Sequence, residues 1–207
     1  MLVECGFTRA TTADGQEFTF RPSFGRISTL GDPQAIVRLY AGLFGARAAQ
    51  EARYVLACLC DQVDVSPLIG WAELTAATDD GVLRGEWLGP RVAEGDVLDW
   101  HAGAMPALEQ VILARHLMQH GIVGKARPET ATAAQGKFSD RFDASEFVSA
   151  ARVHLGLSSE DAEALSMTEF QTMFEMKFPD KNNQKRDVPT RAEYEAGMAR
   201  FKGNTDG

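Results

Sequence analysis

The sequence has few cysteines, and it has no long apolar run. The three cysteines are Cys5, Cys58 and Cys60, and none of them has the Cys-x-x-Cys spacing of redox and zinc motifs. We therefore expect free, buried thiols in a reducing compartment. No segment approaches the roughly 20 apolar residues that span a bilayer. The N-terminus lacks the basic region and apolar stretch of a secretory signal, so we expect a soluble protein that stays in the cytoplasm where it is made.

The motifs that mark common enzyme classes are also missing. There is no phosphate-binding Walker loop, no Gly-x-Gly-x-x-Gly after a strand, no Gly-x-Ser-x-Gly and no His-Glu-x-x-His. The acidic pair Asp79 and Asp80 falls in a predicted loop, and Glu160 and Asp161 fall in the first turn of a predicted helix. Carboxylates are common in both places for structural reasons. We expect no catalytic residues, no cofactor and no enzymatic activity.

The nearest pattern to a metal site is the pair His116 and His120. Residues four apart lie on one face of a helix, so these two side chains could share a metal ion. A metal site needs at least one more ligand, and the sequence indicates none. The simpler interpretation is a pair of surface or partly buried histidines near a helix C-terminus, where the helix dipole favours the protonated form. We predict no bound metal.

The charge of the chain argues against nucleic-acid binding. The net charge is −8, and an acidic chain repels phosphate backbones. Residues 181–186 form the only basic run, and a solvated linker is the simpler interpretation of it. The composition, 44% hydrophobic and 24% charged, is that of a globular protein. We predict a hairpin plus helical domain over residues 1–180, followed by a polar linker and a C-terminal helix over residues 181–207.

The predicted fold class is mainly α, a helical domain with an N-terminal β-hairpin packed on it. Residues 2–21 predict the hairpin, because Val3, Cys5 and Phe7 alternate on one strand and Phe18 and Phe20 on the other. Asp14 and Gly15 suit the tight turn between them. Helix start signals then follow along the chain. They lie at Asp32-Pro33, Ser66-Pro67, Pro106, Asp143 or Ser145, Ser158 and Ser166.

Two regions carry less regular patterns. Residues 46–62 predict a second helix after the one that begins at Pro33. Within residues 70–103, we predict that residues 74–78 continue a helix and that residues 82–87 form a short strand. In the helix from Pro106 to His120, the predicted inner positions are Leu108, Val111, Ile112, Arg115, Leu117 and Met118, and Gly121 is the predicted cap.

One short helix near the C-terminus is unusually rich in methionine and phenylalanine. It begins at a capping box, Ser166 to Glu169, and its apolar side chains occupy more than one face. Such a helix is buried on several sides or meets a partner, and methionine suits an adaptable binding surface. The alternative is a core helix covered by the last helix of the chain. The candidate partner-binding residues are Met167, Phe170, Met173, Phe174, Phe178, Tyr194, Met198 and Phe201.

This helix resembles a known family. The segment LSMTEFQTMFEMKFP, residues 165–179, resembles the "TEFQ" helix of tail assembly chaperones of long-tailed bacteriophages, and residues 187–194 resemble the short helix that accompanies it. Residues 20–24 and 120–126 are similar to an uncharacterised family of phage proteins encoded among tail genes. Residues 46–104 carry no such resemblance.

The resemblance implies a function in tail assembly. A chaperone of this kind binds the tape measure protein, a long apolar helical chain, and keeps it soluble in the host cytoplasm. The tail tube protein is a second candidate client. The chaperone is absent from the mature virion, and homo-oligomers are possible. Two alternatives stay open. The chain could be a structural tail component whose hairpin adds a strand to a neighbour, or a host-directed inhibitor that mimics nucleic acid through its acidic charge.

Overall fold

The computed structural model describes residues 5–78, 81–86, 97–125 and 140–179. This part of the chain is mainly α-helical with a small antiparallel hairpin near the N-terminus, which confirms the predicted fold class. Two of the helices continue directly into a π turn. The elements are β1 (Thr8–Thr11), β2 (Glu17–Phe20), α1 (Phe24–Ser28), α2 (Pro33–Gly42), α3 (Ala48–Leu59), α4 (Ser66–Ile69), β3 (Trp71–Thr78), β4 (Gly81–Glu86), β5 (Val97–His101), α5 (Ala107–Met118) with its π turn (Gln119–Val123), α6 (Ala144–Ala150) with its π turn (Ala151–Leu155), α7 (Ser159–Ala164) and α8 (Met167–Lys177).

The hairpin forms where it was predicted, with a shorter first strand. β1 pairs antiparallel with β2, and Gly15 takes the positive φ of +88° that the turn requires. Phe18 and Phe20 are completely buried. β2 also attaches to the end of α3, since the Arg21 N–H donates to the Leu59 carbonyl at 2.9 Å. Of the residues assigned to the first strand, Cys5 and Phe7 precede β1, and Val3 lies outside the described residues.

Side-chain caps start most of the helices. The Asp32 carboxylate accepts the backbone N–H groups of Gln34 and Ala35 at 3.0 and 2.7 Å, so α2 begins as predicted. Asp143 caps α6 and Ser158 caps α7 in the same way. The prediction that Ser66 precedes and caps a helix was wrong, because Ser66 is the first residue of α4. The Asp64 carboxylate accepts its N–H at 2.9 Å.

A three-stranded sheet replaces the helix predicted over residues 74–78. β3 is the central strand, antiparallel to β4 on one side and β5 on the other. The helix prediction was wrong because alanine favours helix while threonine favours strand, and pairing on both sides decides between them. The strand predicted over residues 82–87 is confirmed as β4, which ends at Glu86.

The main core lies where α3 packs against α5. Val55, Leu56 and Leu59 of α3 are completely buried, as are Leu117 and Met118 of α5. Because Ala114 is also buried on this inner face, the two helix backbones need little space between them.

The inner face of α5 differs from the prediction. Leu108 and Ile112 are 71% and 57% exposed, whereas Gln110 is 2% exposed. The Gln110 amide donates to the carbonyls of Ile69 and Met105 at 3.0 and 2.7 Å, which compensates for part of the cost of burying it. Gly121 does not cap the helix, because the π turn continues to Gly124 with its φ of +83°.

The chain divides into two compact units, Met1–Met173 and Phe174–Gly207. The second unit is described only over residues 174–179. The predicted boundary between residues 180 and 181, the basic run at 181–186 and the C-terminal helix lie at or beyond the end of the described residues, and the domain prediction stays a prediction. In the described part of the chain, no helix is both long and apolar enough to cross a membrane.

Candidate functional site

The methionine- and phenylalanine-rich helix is α8, and it starts at the predicted capping box. The Ser166 Oγ accepts the Glu169 N–H at 3.2 Å, and the Glu169 Oε2 accepts the Ser166 N–H at 2.9 Å. Just before the helix, the Leu165 carbonyl accepts the Phe24 N–H at 2.8 Å. The first turn of α8 is therefore held by its own cap and by the start of α1.

The first half of α8 is part of the core. The Phe170 ring packs edge-on against Phe24 and Phe147, with ring centroids 6.0 and 5.8 Å apart. Phe147 also stacks on Phe142 at 5.3 Å, so four phenylalanines form one aromatic cluster. Phe170 is 8% exposed and Met167 is 3% exposed. This corrects the candidate set at these two positions, because in the folded chain their side chains face its own core.

Polar side chains of α8 bind the π turn that follows α5. The Nδ1 of His120 lies 2.8 Å from the Thr168 Oγ1. The Gln171 side-chain amide makes two backbone hydrogen bonds, donating to the Val123 carbonyl at 3.2 Å and accepting the Lys125 N–H at 2.8 Å. A Cβ atom on Gly124, which lies between Val123 and Lys125, would be too close to the end of the Gln171 side chain, so that side chain would have to shift. These contacts fix the register of α8 against the π turn.

The second half of α8 carries exposed apolar side chains. Met173 is 36% exposed, Met176 is 80% exposed and Phe178 is 47% exposed. Phe174 is half-buried, and its ring lies 4.8 Å from that of Phe178. We call Met173, Phe174, Met176 and Phe178 the α8 apolar end. Exposed apolar groups that are grouped on one helix, half of them flexible methionines, are typical of surfaces that bind other polypeptides.

The other three candidate partner-binding residues are Tyr194, Met198 and Phe201. They lie outside the described residues. A role for them in binding a partner, or in covering α8, stays a prediction. Met176, which was not among the candidate contacts, is the most exposed apolar side chain of α8. Its signal was present in the sequence, since it belongs to the same run of methionines and phenylalanines.

His116 and His120 lie together as their spacing predicts, with ring centroids 4.6 Å apart. Burial lowers the pKa of both imidazoles, and for His120 the charge of His116 lowers the pKa further. Burial therefore favours the neutral form of both histidines, whereas we expected the protonated form from the helix dipole. Among the described residues, no three histidine, cysteine or acidic side chains are grouped as metal ligands would be.

Among the described residues, the acidic pair of α7 forms no metal-binding group with the histidines. Glu160 and Asp161 lie exposed in the first turn of α7, where the Ser158 Oγ accepts the Asp161 N–H. Asp79 and Asp80 lie outside the described residues.

The cysteines are free thiols. Only Cys60 is buried, while Cys5 and Cys58 are half-buried, which corrects the expectation that all three are buried. Burial raises the pKa of the Cys58 and Cys60 thiols, so the reactive thiolate form is disfavoured.

A second exposed apolar group was missed by the sequence analysis. Besides Leu108 and Ile112 of α5, Phe44 is 60% exposed. The Arg115 guanidinium lies 4.4 Å from the Phe44 ring and donates to the Leu43 carbonyl. No sequence signal distinguishes these side chains from core residues, because Leu108 and Ile112 have the spacing of a buried helix face.

Comparison with known proteins gives one family. A family model described as "Family of unknown function (DUF6246)" matches residues 41–196, more than half of the chain. The matched segment includes α5 and α8 but not the hairpin. No curated protein and no solved structure matches the chain.

Proposed function

We propose that this chain, which belongs to that family of unknown function, binds a client polypeptide through the α8 apolar end. The observation that carries the proposal is the exposure of Met176 and Phe178, 80% and 47%, on a helix whose first half is buried in the core. Complete burial of one such side chain against a partner contributes about 1.5–3 kcal/mol. A few side chains of this kind are enough for a specific contact.

The client that suits this surface is an apolar helix. Methionine has three rotatable bonds, so Met173 and Met176 can adapt to client side chains that differ along a long sequence. An amphipathic or apolar helix would dock along α8 by the helix-in-groove mode. Because the chain carries a net charge of −8, a complex with an apolar client keeps a charged exterior.

The resemblance of residues 165–179 narrows this proposal to a tail assembly chaperone. In that role the chain binds the tape measure protein in the host cytoplasm, with the tail tube protein as a second candidate client. It keeps the client soluble and is absent from the finished particle. It catalyses no reaction and needs no cofactor, since stabilising an unassembled client requires only preferential binding.

Co-expression with the tape measure protein tests this function. Wild-type chain should keep the client in the soluble fraction, and the double variant Met176→Asp, Phe178→Asp should not, because two carboxylates cannot be buried against an apolar helix. Val153→Asp is the matched control, since Val153 is 77% exposed on a different element. If the client is equally insoluble with and without the wild-type chain, the proposal is wrong.

A structural tail component is the second candidate. It is favoured by the hairpin, because β1 pairs only with β2 among the described strands, and a strand edge without a paired strand can accept one from a neighbour. Mass spectrometry of purified particles separates the two functions. A structural component is present in them at a fixed copy number, and a chaperone is not.

A further inference from the structure

A small cavity lies in the first unit, between α3, α4 and the ends of β3 and β5. Its volume is about 110 Å³, enough for a few non-hydrogen atoms of a ligand but not for a large molecule. It is distant in sequence from α8, and an inference about it does not depend on the proposed function. The side chains that determine its chemistry are Arg53, Tyr54, Asp64, Ser66, Trp71 and Trp100.

Arg53 is unusual among the residues that line this cavity. Its guanidinium carbon lies 3.4 Å from the centre of the Trp100 ring, a close cation–π contact. Within the part of the chain that the structure describes, it has no hydrogen bond and no ion pair, and its Nε is enclosed without an acceptor. By contrast, Arg26 pairs with Asp61 at 2.9 Å, and Arg115 donates to the Leu43 carbonyl at 2.7 Å.

An enclosed guanidinium nitrogen without an acceptor is uncommon and calls for a ligand or an ordered water. Arginine presents its donors in a planar fork that matches the two oxygens of a carboxylate. The cation–π contact with Trp100 holds the Arg53 guanidinium in place in advance, so less side-chain entropy is lost on binding. The donors of Arg53 therefore have no acceptor among the described residues and are available to an anionic ligand.

The other polar groups of the wall restrict which anion fits. The Tyr54 hydroxyl donates to the Leu30 carbonyl at 3.4 Å, and the Ser66 hydroxyl donates to the Asp64 carboxylate at 2.6 Å. These Ser66 bonds also lower the pKa of Asp64, so its negative charge is present at neutral pH. A doubly charged phosphate would be repelled by Asp64, whereas a singly charged carboxylate balances Arg53 with less repulsion.

The rim of the cavity suits a ligand with an apolar stem. Trp71 is 42% exposed and stacks on His101 with ring centroids 4.1 Å apart. Val63, which also lines the cavity, is completely exposed. A carboxylate carried on an aliphatic or peptide stem would place its charge at Arg53 and its carbon atoms against these side chains.

We propose that this cavity is a carboxylate-binding site in which Arg53, held against the Trp100 ring, forms a forked pair of hydrogen bonds with the ligand. The chemistry is shared by the C-terminus of a polypeptide, an acidic side chain and a small organic acid. The size of the cavity admits only the carboxylate and the first atoms of its stem in each case.

The test is an NMR titration of the full chain, following the indole N–H resonance of Trp100. Three carboxylate probes are used. N-acetyl-leucine represents the C-terminus of a polypeptide, N-acetyl-glutamic acid α-amide represents an acidic side chain, and sodium acetate represents a small organic acid. N-acetyl-leucinamide is the neutral control, and sodium phosphate is the competing anion. We expect a saturable shift with at least one carboxylate and none with the amide. The carboxylate that binds at least tenfold more tightly than the other two identifies the source of the ligand.

Two variants check that Arg53 is responsible. Arg53→Met keeps a long side chain on Trp100 and removes the donors, and carboxylate affinity should fall at least tenfold. Arg47→Met is the matched control, because Arg47 is exposed at the start of the same helix and its loss changes the net charge equally. Arg53→Lys, which keeps the charge without the fork, should weaken binding less than Arg53→Met.

Several results would overturn the assignment. They are an equal response to N-acetyl-leucinamide, saturation by phosphate but by no carboxylate, no saturable shift with any probe, or unchanged affinity in Arg53→Met. The comparison of acid with amide needs only the wild-type chain, so it decides the question even if a substitution at Arg53 unfolds the protein.

Discussion

At the scale of single residues, Phe170 and Met176 show how two neighbouring turns of α8 differ in role. Phe170 contacts Phe24 and Phe147 in the aromatic cluster, whereas Met176 is 80% exposed. Composition alone does not separate them, because both belong to the same run of apolar residues. Contacts with α1 and α6, which no local pattern indicates, place Phe170 in the core.

Substitution by alanine should separate these roles. Phe170→Ala removes a ring from a packed cluster and should lower the free energy of unfolding by about 3 kcal/mol. Met176→Ala should change it by no more than about 0.5 kcal/mol, since an exposed side chain loses little on truncation. Chemical denaturation followed by circular dichroism measures both. Equal losses for the two variants would contradict the assignment of Met176 to the surface.

The histidine pair predicts a dependence of stability on pH. In the folded chain the pKa of His116 and of His120 is lowered from the ordinary value of 6.5, so folding favours their neutral forms. Their contribution to stability is complete above pH 6.5 and is lost as the pH falls through that value towards the lowered pKa, because the unfolded state then binds more protons.

Denaturation curves at several pH values between 7.5 and about 5 measure this effect. The variant His116→Gln should flatten the dependence in that range, since one titrating group is removed. His154→Gln is the control, because His154 lies exposed at the end of another element. A wild-type stability that is constant or rises as the pH falls through this range would contradict the prediction.

At the scale of elements, α8 depends on its capping box. Ser166→Ala removes the acceptor of the Glu169 N–H and should cost about 1 kcal/mol of stability. Ser166→Gly should cost only a few tenths, since glycine is a tolerated cap. Thermal unfolding of the two variants gives the difference. If Ser166→Ala unfolds at the wild-type temperature, the box does not stabilise the helix.

The starts of the helices could be predicted from the sequence more reliably than the tertiary contacts. The caps at Asp32, Ser158 and Ser166 follow from side chains within three residues, so the sequence contains all the information. The strand β3 does not, because its hydrogen bonds come from β4 and β5. The inner face of α5 was also misassigned, since buried Gln110 is stabilised by carbonyls of Ile69 and Met105 that no local pattern indicates.

The candidate site was predictable to a similar extent. The run of methionine and phenylalanine located α8, but not the point at which it leaves the core. Arg53 gave no signal, because its significance depends on Trp100, which is far away in sequence. Sites that are built from contacts between distant segments are recognised only when those segments are placed together.

At the scale of the whole molecule, an acidic chain is proposed to hold an apolar client. If the contact is apolar, it should survive high salt, because apolar association does not weaken with ionic screening. At about 1 M sodium chloride the Debye length is only about 3 Å, so a charge-driven complex would dissociate. Pull-down of the tape measure protein at low and high salt distinguishes these cases. Release of the client by salt would indicate an electrostatic interface.

The Lys125 N–H donates a hydrogen bond to the Gln171 side chain, so this amide hydrogen reports whether α8 is attached to the π turn. Lys125 is exposed, so its amide hydrogen would exchange with solvent quickly if Gln171 moved away. Its exchange rate in deuterated buffer therefore measures how often α8 detaches from the π turn. Comparing that exchange rate with and without a client would show whether client binding changes how often α8 detaches from the π turn.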